Sequence, residues 1–171
     1  MDQDLKWSIE RQIPHLRRYA IALTRDRDRA DDLVQDTLER ALLKRHLFQR
    51  KGRLRGWLFR ILYRTFVDKK RRVVPHMVAA DESVLDGAAS QPASQEDHVE
   101  YRNIAAALEQ LPEEQRSIIL LVALEGMQYD EIADILDLPI GTVRSRLSRG
   151  REALRSMRSF HDRPVRLRRV K

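Results

Sequence analysis

Apolar residues along this chain recur at steps of three and four, the period of a helix with one buried face. Between 29 and 46 they fall at Ala30, Leu33, Val34, Leu38, Ala41 and Leu42, and between 54 and 72 at Leu54, Trp57, Leu58, Ile61, Leu62 and Phe66. The same spacing predicts helices over 103–111, 113–124, 129–136 and 142–157, with Pro112 in a first turn and Gly126 closing the helix before it. No stretch alternates as a strand would, so the pattern predicts an all-α fold of two small helical domains. The segment between them, VVPHMVAADESVLDGAASQPASQEDH, is small, polar and without period, as a flexible acidic linker is. The expected organisation is a first domain over 1–72, a linker over 73–98, a second domain over 99–160 and a basic tail over 161–171.

Charge sharpens this division. The 171 residues carry 33 Lys and Arg against 26 Asp and Glu, a net +7, yet the two signs are separated along the chain. Residues 1–72 hold 20 basic and 10 acidic side chains, 73–98 none and 5, 99–138 2 and 9, and 139–160 6 and 1. The last predicted helix is therefore cationic within an otherwise acidic module. Cysteine is absent, which excludes a disulfide scaffold, a thiolate metal site and a cysteine nucleophile, and fits a reducing compartment. The longest apolar run, Ile118 to Leu124, is far short of the roughly 20 residues a span needs. The first residues carry two aspartates where a secretory leader is positive. A cytoplasmic protein without membrane insertion is expected.

The segment MQYDEIADILDLPIGTV reads as a short helix with Ile132, Ala133 and Leu136 inward, a turn at Asp137-Leu138-Pro139 and a second helix from Thr142. That second helix buries Val143, Leu147 and Leu154 and carries Arg144, Arg146, Arg149, Arg151, Arg155 and Arg158. Helix, tight turn and arginine-rich helix describe a helix-turn-helix placed for the major groove. Arginine suits the task because its planar fork pairs with guanine edges or with phosphate. Thr142 reads equally as a helix cap, and Gly150, costly in mid-helix, points to close packing of the backbone.

In the first module Asp32, Gln35, Asp36 and Glu39 form one acidic stripe at i, i+3, i+4 and i+7. The stripe could meet a basic protein surface, or be a solvent face in which Asp36 pairs with Arg40 four residues on. The following helix interleaves Arg53, Arg55, Arg60, Arg64 and Lys69 to Arg72 with Trp57, Phe59, Tyr63 and Phe66. Cations beside aromatics suit single-stranded nucleic acid. Trp57 and Phe66 fit the buried face, whereas Phe59 and Tyr63 are expected to be more open.

RADDLVQDTLERAL (29–42), LRGWLFRILYRTFVDKKRR (54–72), the acidic linker and LEQLPEEQRSIILLVALEGMQYDEIADILDLPIGTVRSRLSRGREAL (108–154), in this order, resemble the bacterial extracytoplasmic-function (ECF) RNA polymerase sigma factors. The resemblance covers about 15–72 and 99–158. It implies a region 2 and a region 4, each helical, that bind core RNA polymerase and promoter DNA without a cofactor or metal. On the matching positions it implies that Asp32, Gln35 and Asp36 contact the polymerase β′ clamp helices. It assigns Arg53, Arg60, Arg64, Thr65, Lys69 and Arg72 to the opened minus-ten element. Thr142, Arg144, Ser145, Arg146, Ser148 and Arg149 would read the minus-thirty-five element, and the apolar run Ile118–Leu124 would meet the β flap. An anti-sigma factor is a further implied partner. Members often carry Asn where this chain has Thr65, and the loop QRKGR after Phe48 is short and basic.

Two other readings compete with it: a sigma-like mimic that binds an anti-sigma protein, and a helix-turn-helix regulator that does not act as a sigma factor. The recognition-helix arginines speak against the mimic. An enzyme is not expected, because His15, His46, His76, His98 and His161 are scattered and no H-E-x-x-H or phosphate-binding glycine pattern occurs.

Overall fold

In the computed structural model, which describes residues 3–48, 53–73 and 104–161, helices account for nearly all of the backbone. They are α1 (Gln3–Glu10), α2 (Ile13–Thr24), α3 (Arg27–Leu43), α4 (Leu54–Val73), α5 (104–109), α6 (Glu113–Ala123), α7 (Tyr129–Leu136) and α8 (Ile140–His161), with a 3₁₀ turn at Arg45–Leu47 after α3. Among the described residues there is no strand, and no helix is long and apolar enough to cross a membrane. The expected linker after Val73, the loop 49–52 and the tail beyond His161 lie outside the described residues.

Local chemistry sets the helix ends. Arg25, at φ 60°, stops α2, and the extended Asp26 starts α3 by accepting the Arg29 amide on its carboxylate at 2.8 Å. Gly126, at φ 62°, turns the chain out of α6, and Asp137, at φ 57°, ends α7. The Pro139 carbonyl accepts the amides of Thr142 and Val143 at 2.9 and 3.2 Å, so α8 begins at Ile140. Thr142 is thus inside the first turn, where its hydroxyl is not the cap the sequence allowed.

Two packing layers follow. Leu16, Tyr19, Ala20 and Leu23 of α2 bury against Ala30, Leu33, Val34 and Ala41 of α3 and Leu58, Phe59 and Leu62 of α4. In the second half Ile118, Ile119, Leu120 and Leu121 of α6 pack with Ile132, Ile135 and Leu136 of α7 and Val143 and Leu147 of α8. Leu42 faces out, since its neighbour Ala41 takes the inward position on α3. Phe59 departs from expectation: it is fully buried, its ring 5.4 Å from that of Tyr19. The reason is that α4 is covered twice, by α2 and α3 on one side and by α7 on the other. With α6 also against α2, the buried residues of both halves form one continuous core.

Gly150 lies where α8 crosses α6, and a Cβ there would come within 2.6 Å of Ile119 Cδ1 and 3.3 Å of Gln115 Cβ. Gly56, in the first turns of α4, has nothing within 4 Å. Gly150→Val is therefore expected to destabilise by about 1–3 kcal/mol through overpacking. Gly56→Ala is expected to stabilise by roughly 0.5–1 kcal/mol through helix propensity. Denaturant midpoints of the two variants check both signs.

Candidate nucleic-acid interface

Burial of Val143 and Leu147 and the seating of Gly150 on α6 fix which side of α8 faces water. Arg144, Ser145, Ser148 and Arg149 are on that side, and Thr142 is half-buried beside them. Tyr129, Arg144, Leu147, Ser148, Arg151 and Arg155 line a shallow recess between α7 and α8. A row of guanidinium groups over a polar recess presents donors to a phosphate backbone and to base edges. Arg146 is the exception among the expected reading residues. It turns back to Glu114 of α6, at 2.7 Å.

On α3 the acidic stripe is at the surface, with Asp32 and Gln35 exposed and Asp36 half-buried. Gln35 Nε2 donates to Glu39 Oε1 at 3.2 Å. The Asp36–Arg40 pair is not formed. Because α3 and α4 lie side by side, Asp36 pairs instead with Lys69 at 2.7 Å and Arg40 with Asp68 at 3.2 Å. One ion pair thereby joins a residue expected to bind polymerase to one expected to bind DNA.

Three of the other expected minus-ten residues face the second half of the chain. Arg53 pairs with Glu131, Arg60 Nε donates to the Asp134 carbonyl at 2.7 Å, and Arg64 pairs with Asp137 at 3.5 Å. Arg72 is exposed. Thr65 is fully buried and its hydroxyl donates to the Ile61 carbonyl at 2.8 Å, so in this arrangement it offers nothing to a base. Tyr63 is half-buried, its phenol pushed up by burial and partly restored by a hydrogen bond with Ser117. Trp57 packs on Phe48, rings 5.1 Å apart. In the second half, Ile118 to Leu121, the larger part of the run expected at the β flap, are core residues; only Val122, Ala123 and Leu124 reach the surface.

At the centre of the contact between halves sits Glu125, whose side chain is 0% exposed. Its carboxylate accepts from Arg18 Nε and Nη2 at 3.1 and 2.8 Å, lies 3.1 Å from His15 Nδ1, and pairs with Arg55. Arg55 Nη2 also donates to the Glu125 carbonyl at 2.7 Å, and Arg18 donates to that of Leu124. Sequence periodicity does not single out Glu125, His15, Arg18 or Arg55. The available signal was charge complementarity between a strongly basic 1–72 and an acidic 99–138.

Two family models match the chain: the Sigma2 domain of PhyR over residues 9–63, which takes in α2, α3 and half of α4, and Sigma-70 region 4 over 101–154, from α5 into α8. The ECF RNA polymerase sigma factor EcfG of Rhodopseudomonas palustris is 38% identical over 157 residues, 92% of this chain and 86% of its own length. The chain belongs to the ECF sigma factors. SigV of Bacillus subtilis is 29% identical, with 85% of each chain covered. Among solved structures, the sigma factor RpoE of Bartonella quintana, in complex with the anti-sigma factor NepR, superposes with a TM-score of 0.73 at 31% identity, covering 94% of this chain and 99% of that one. As an ECF sigma factor the protein is an alternative sigma factor that binds RNA polymerase and promoter DNA to direct transcription initiation. Sigma factors as a family are not enzymes.

Glu131 accepts the Gln128 amide at 3.0 Å, which with Arg53 holds its carboxyl below the ordinary value of 4.5. A depressed carboxyl stabilises the fold above its ordinary value and loses that contribution as pH falls through the depressed one. Thermal melts of the wild type and Glu131→Gln should therefore differ at neutral pH and converge on acidification below about 4.5. Phe59→Ala should cost about 3–5 kcal/mol in denaturant unfolding, as a core residue does and a base-stacking residue does not.

Proposed function

We propose that region 2, over residues 1–72, holds the polymerase β′ clamp helices through Asp32, Gln35 and Asp36. Arg53, just before helix α4, and Arg60, Arg64, Lys69 and Arg72 on it hold the opened minus-ten element. Region 4, over 99–160, reads the minus-thirty-five element through Thr142, Arg144, Ser145, Ser148 and Arg149. Arg146 joins them once its pair with Glu114 opens. The linker 73–98 connects the two regions, and the chain acts in the cytoplasm as a non-enzymatic initiation factor. The observation that supports this reading is the outward row of Arg144, Ser145, Ser148 and Arg149 on α8, the first half of a helix-turn-helix reading helix. The likeness to a sigma factor solved with NepR supports an anti-sigma partner.

A second reading has its own support. The first half of the chain matches the sigma2 domain of PhyR, a protein described in a solved complex as an anti-anti-sigma factor. A mimic of this kind has no use for DNA-reading arginines. Run-off transcription with core polymerase decides between the two. The wild type should give discrete starts, and Arg144→Ala with Arg149→Ala should reduce them by about tenfold or more, each lost base contact costing about 1–3 kcal/mol. Asp32→Lys with Asp36→Lys should abolish co-elution with core polymerase. Starts unaffected by the arginine changes would overturn the reading of the minus-thirty-five element, and no starts at all would leave the mimic.

A further inference from the structure

Three of the cations that region 2 would offer to an opened promoter strand, Arg53, Arg60 and Arg64, are engaged by region 4 together with their neighbours Arg18, Arg55 and Lys70, although several of these side chains stay partly exposed; Lys69 pairs within region 2 and Arg72 is exposed. Arg18 and Arg55 enclose the Glu125 carboxylate, Arg53 meets Glu131, Arg60 the Asp134 carbonyl, Arg64 the Asp137 carboxylate and Lys70 the Glu113 carboxylate. Each acceptor is an anionic or carbonyl oxygen of region 4, and three of them, at Leu124, Glu125 and Asp134, are backbone carbonyls at the C-terminal ends of α6 and α7, where the helix dipole is negative. Such an array presents to the arginine forks what a phosphodiester strand presents: closely spaced oxygens with negative charge. The surfaces are also continuous in apolar packing, α4 on α7 and α2 on α6.

We infer that region 4 is an internal ligand of region 2, occupying in cis the surface that the opened minus-ten strand needs, with Glu125 as the latch. The inference rests on the assignment of α4 to the minus-ten element. Closed and DNA-bound chains are then mutually exclusive, and the affinity of region 2 for a single strand is lowered by the fraction of chains that are closed. Glu125 is the residue on which closure depends, because its carboxylate alone is withdrawn fully from water and joins α2 and α4 at once. The acids at the edge remain partly solvated.

The full chain lacks cysteine, so the substitutions Glu10→Cys and Glu152→Cys, both at exposed positions and far apart in the chain, place a fluorescent donor and acceptor at defined sites in regions 2 and 4. In this labelled background Glu125→Gln should lower energy transfer and raise affinity for a short labelled oligodeoxythymidylate by about tenfold, with helical circular dichroism unchanged. Should Glu125→Gln lose its helicity, Glu131→Gln with Asp137→Asn provides the same readouts from the solvated edge. Unchanged transfer, or lowered transfer with unchanged oligonucleotide affinity, would overturn the latch. Promoter-specific run-off starts by the parent protein, measured alongside, separate failure of the latch from failure of the sigma-factor assignment: starts can persist when the latch is disproved, and their absence implicates the assignment.

Discussion

Placing a carboxylate out of contact with water costs several kcal/mol unless charge and hydrogen bonds replace what water supplied. Glu125 meets that condition through His15 and Arg18, one turn apart on α2, and Arg55 near the start of α4. Three groups from two helices converge on one side chain at the end of a third. That convergence pins the end of α6 to α2 and α4, and Gly126, at φ 62°, then turns the chain toward α7. With α7 so directed, its acidic and carbonyl groups fall along α4, and the edge pairs at Arg53, Arg60 and Arg64 follow.

The exchange between halves runs in both directions. Arg116 of α6 is nearly buried, its charged form disfavoured chiefly by that burial, and its Nη2 approaches the Leu23 carbonyl in the last turn of α2 at 3.4 Å. Region 2 answers with Arg18 at the end of α6 and Arg60 at the end of α7. A helix end carries carbonyls without intrahelical partners and a partial negative charge, so arginine there satisfies a hydrogen-bonding need and an electrostatic one together. Closure thus completes helices that neither half completes alone.

Helix positions were legible in the sequence because each carries a three- and four-residue apolar period, and the helix-turn-helix because Asp137 to Pro139 interrupts that period where α7 ends. The outward placement of Arg144, Ser145, Ser148 and Arg149 was legible for the same reason: Val143 and Leu147 determine the inward face. Phe59, Thr65, Arg146 and the run Ile118–Leu121 were not, because periodicity assigns a helix one buried face, and these residues belong to helices covered from two directions or to pairs formed across elements. Asp36 and Arg40 show the same limit at the level of single charges. Spacing along one helix predicts their mutual pair, whereas the adjacent helix supplies Lys69 and Asp68 to each.

The arginine contacts of α4 bear on how this sigma factor responds to ionic strength. Salt weakens attachment of a cationic protein to DNA by removing the gain from counterion release. It also screens the partly solvated edge pairs between the halves, at Arg53 and Arg64, more than the buried cage around Glu125, and so, on the inferred closure, favours release of the cationic face. The two responses have opposite sign. On the closure inferred above, the net dependence on salt is shallower than the number of phosphates engaged would give, and a count of DNA contacts taken from a salt titration would come out too small.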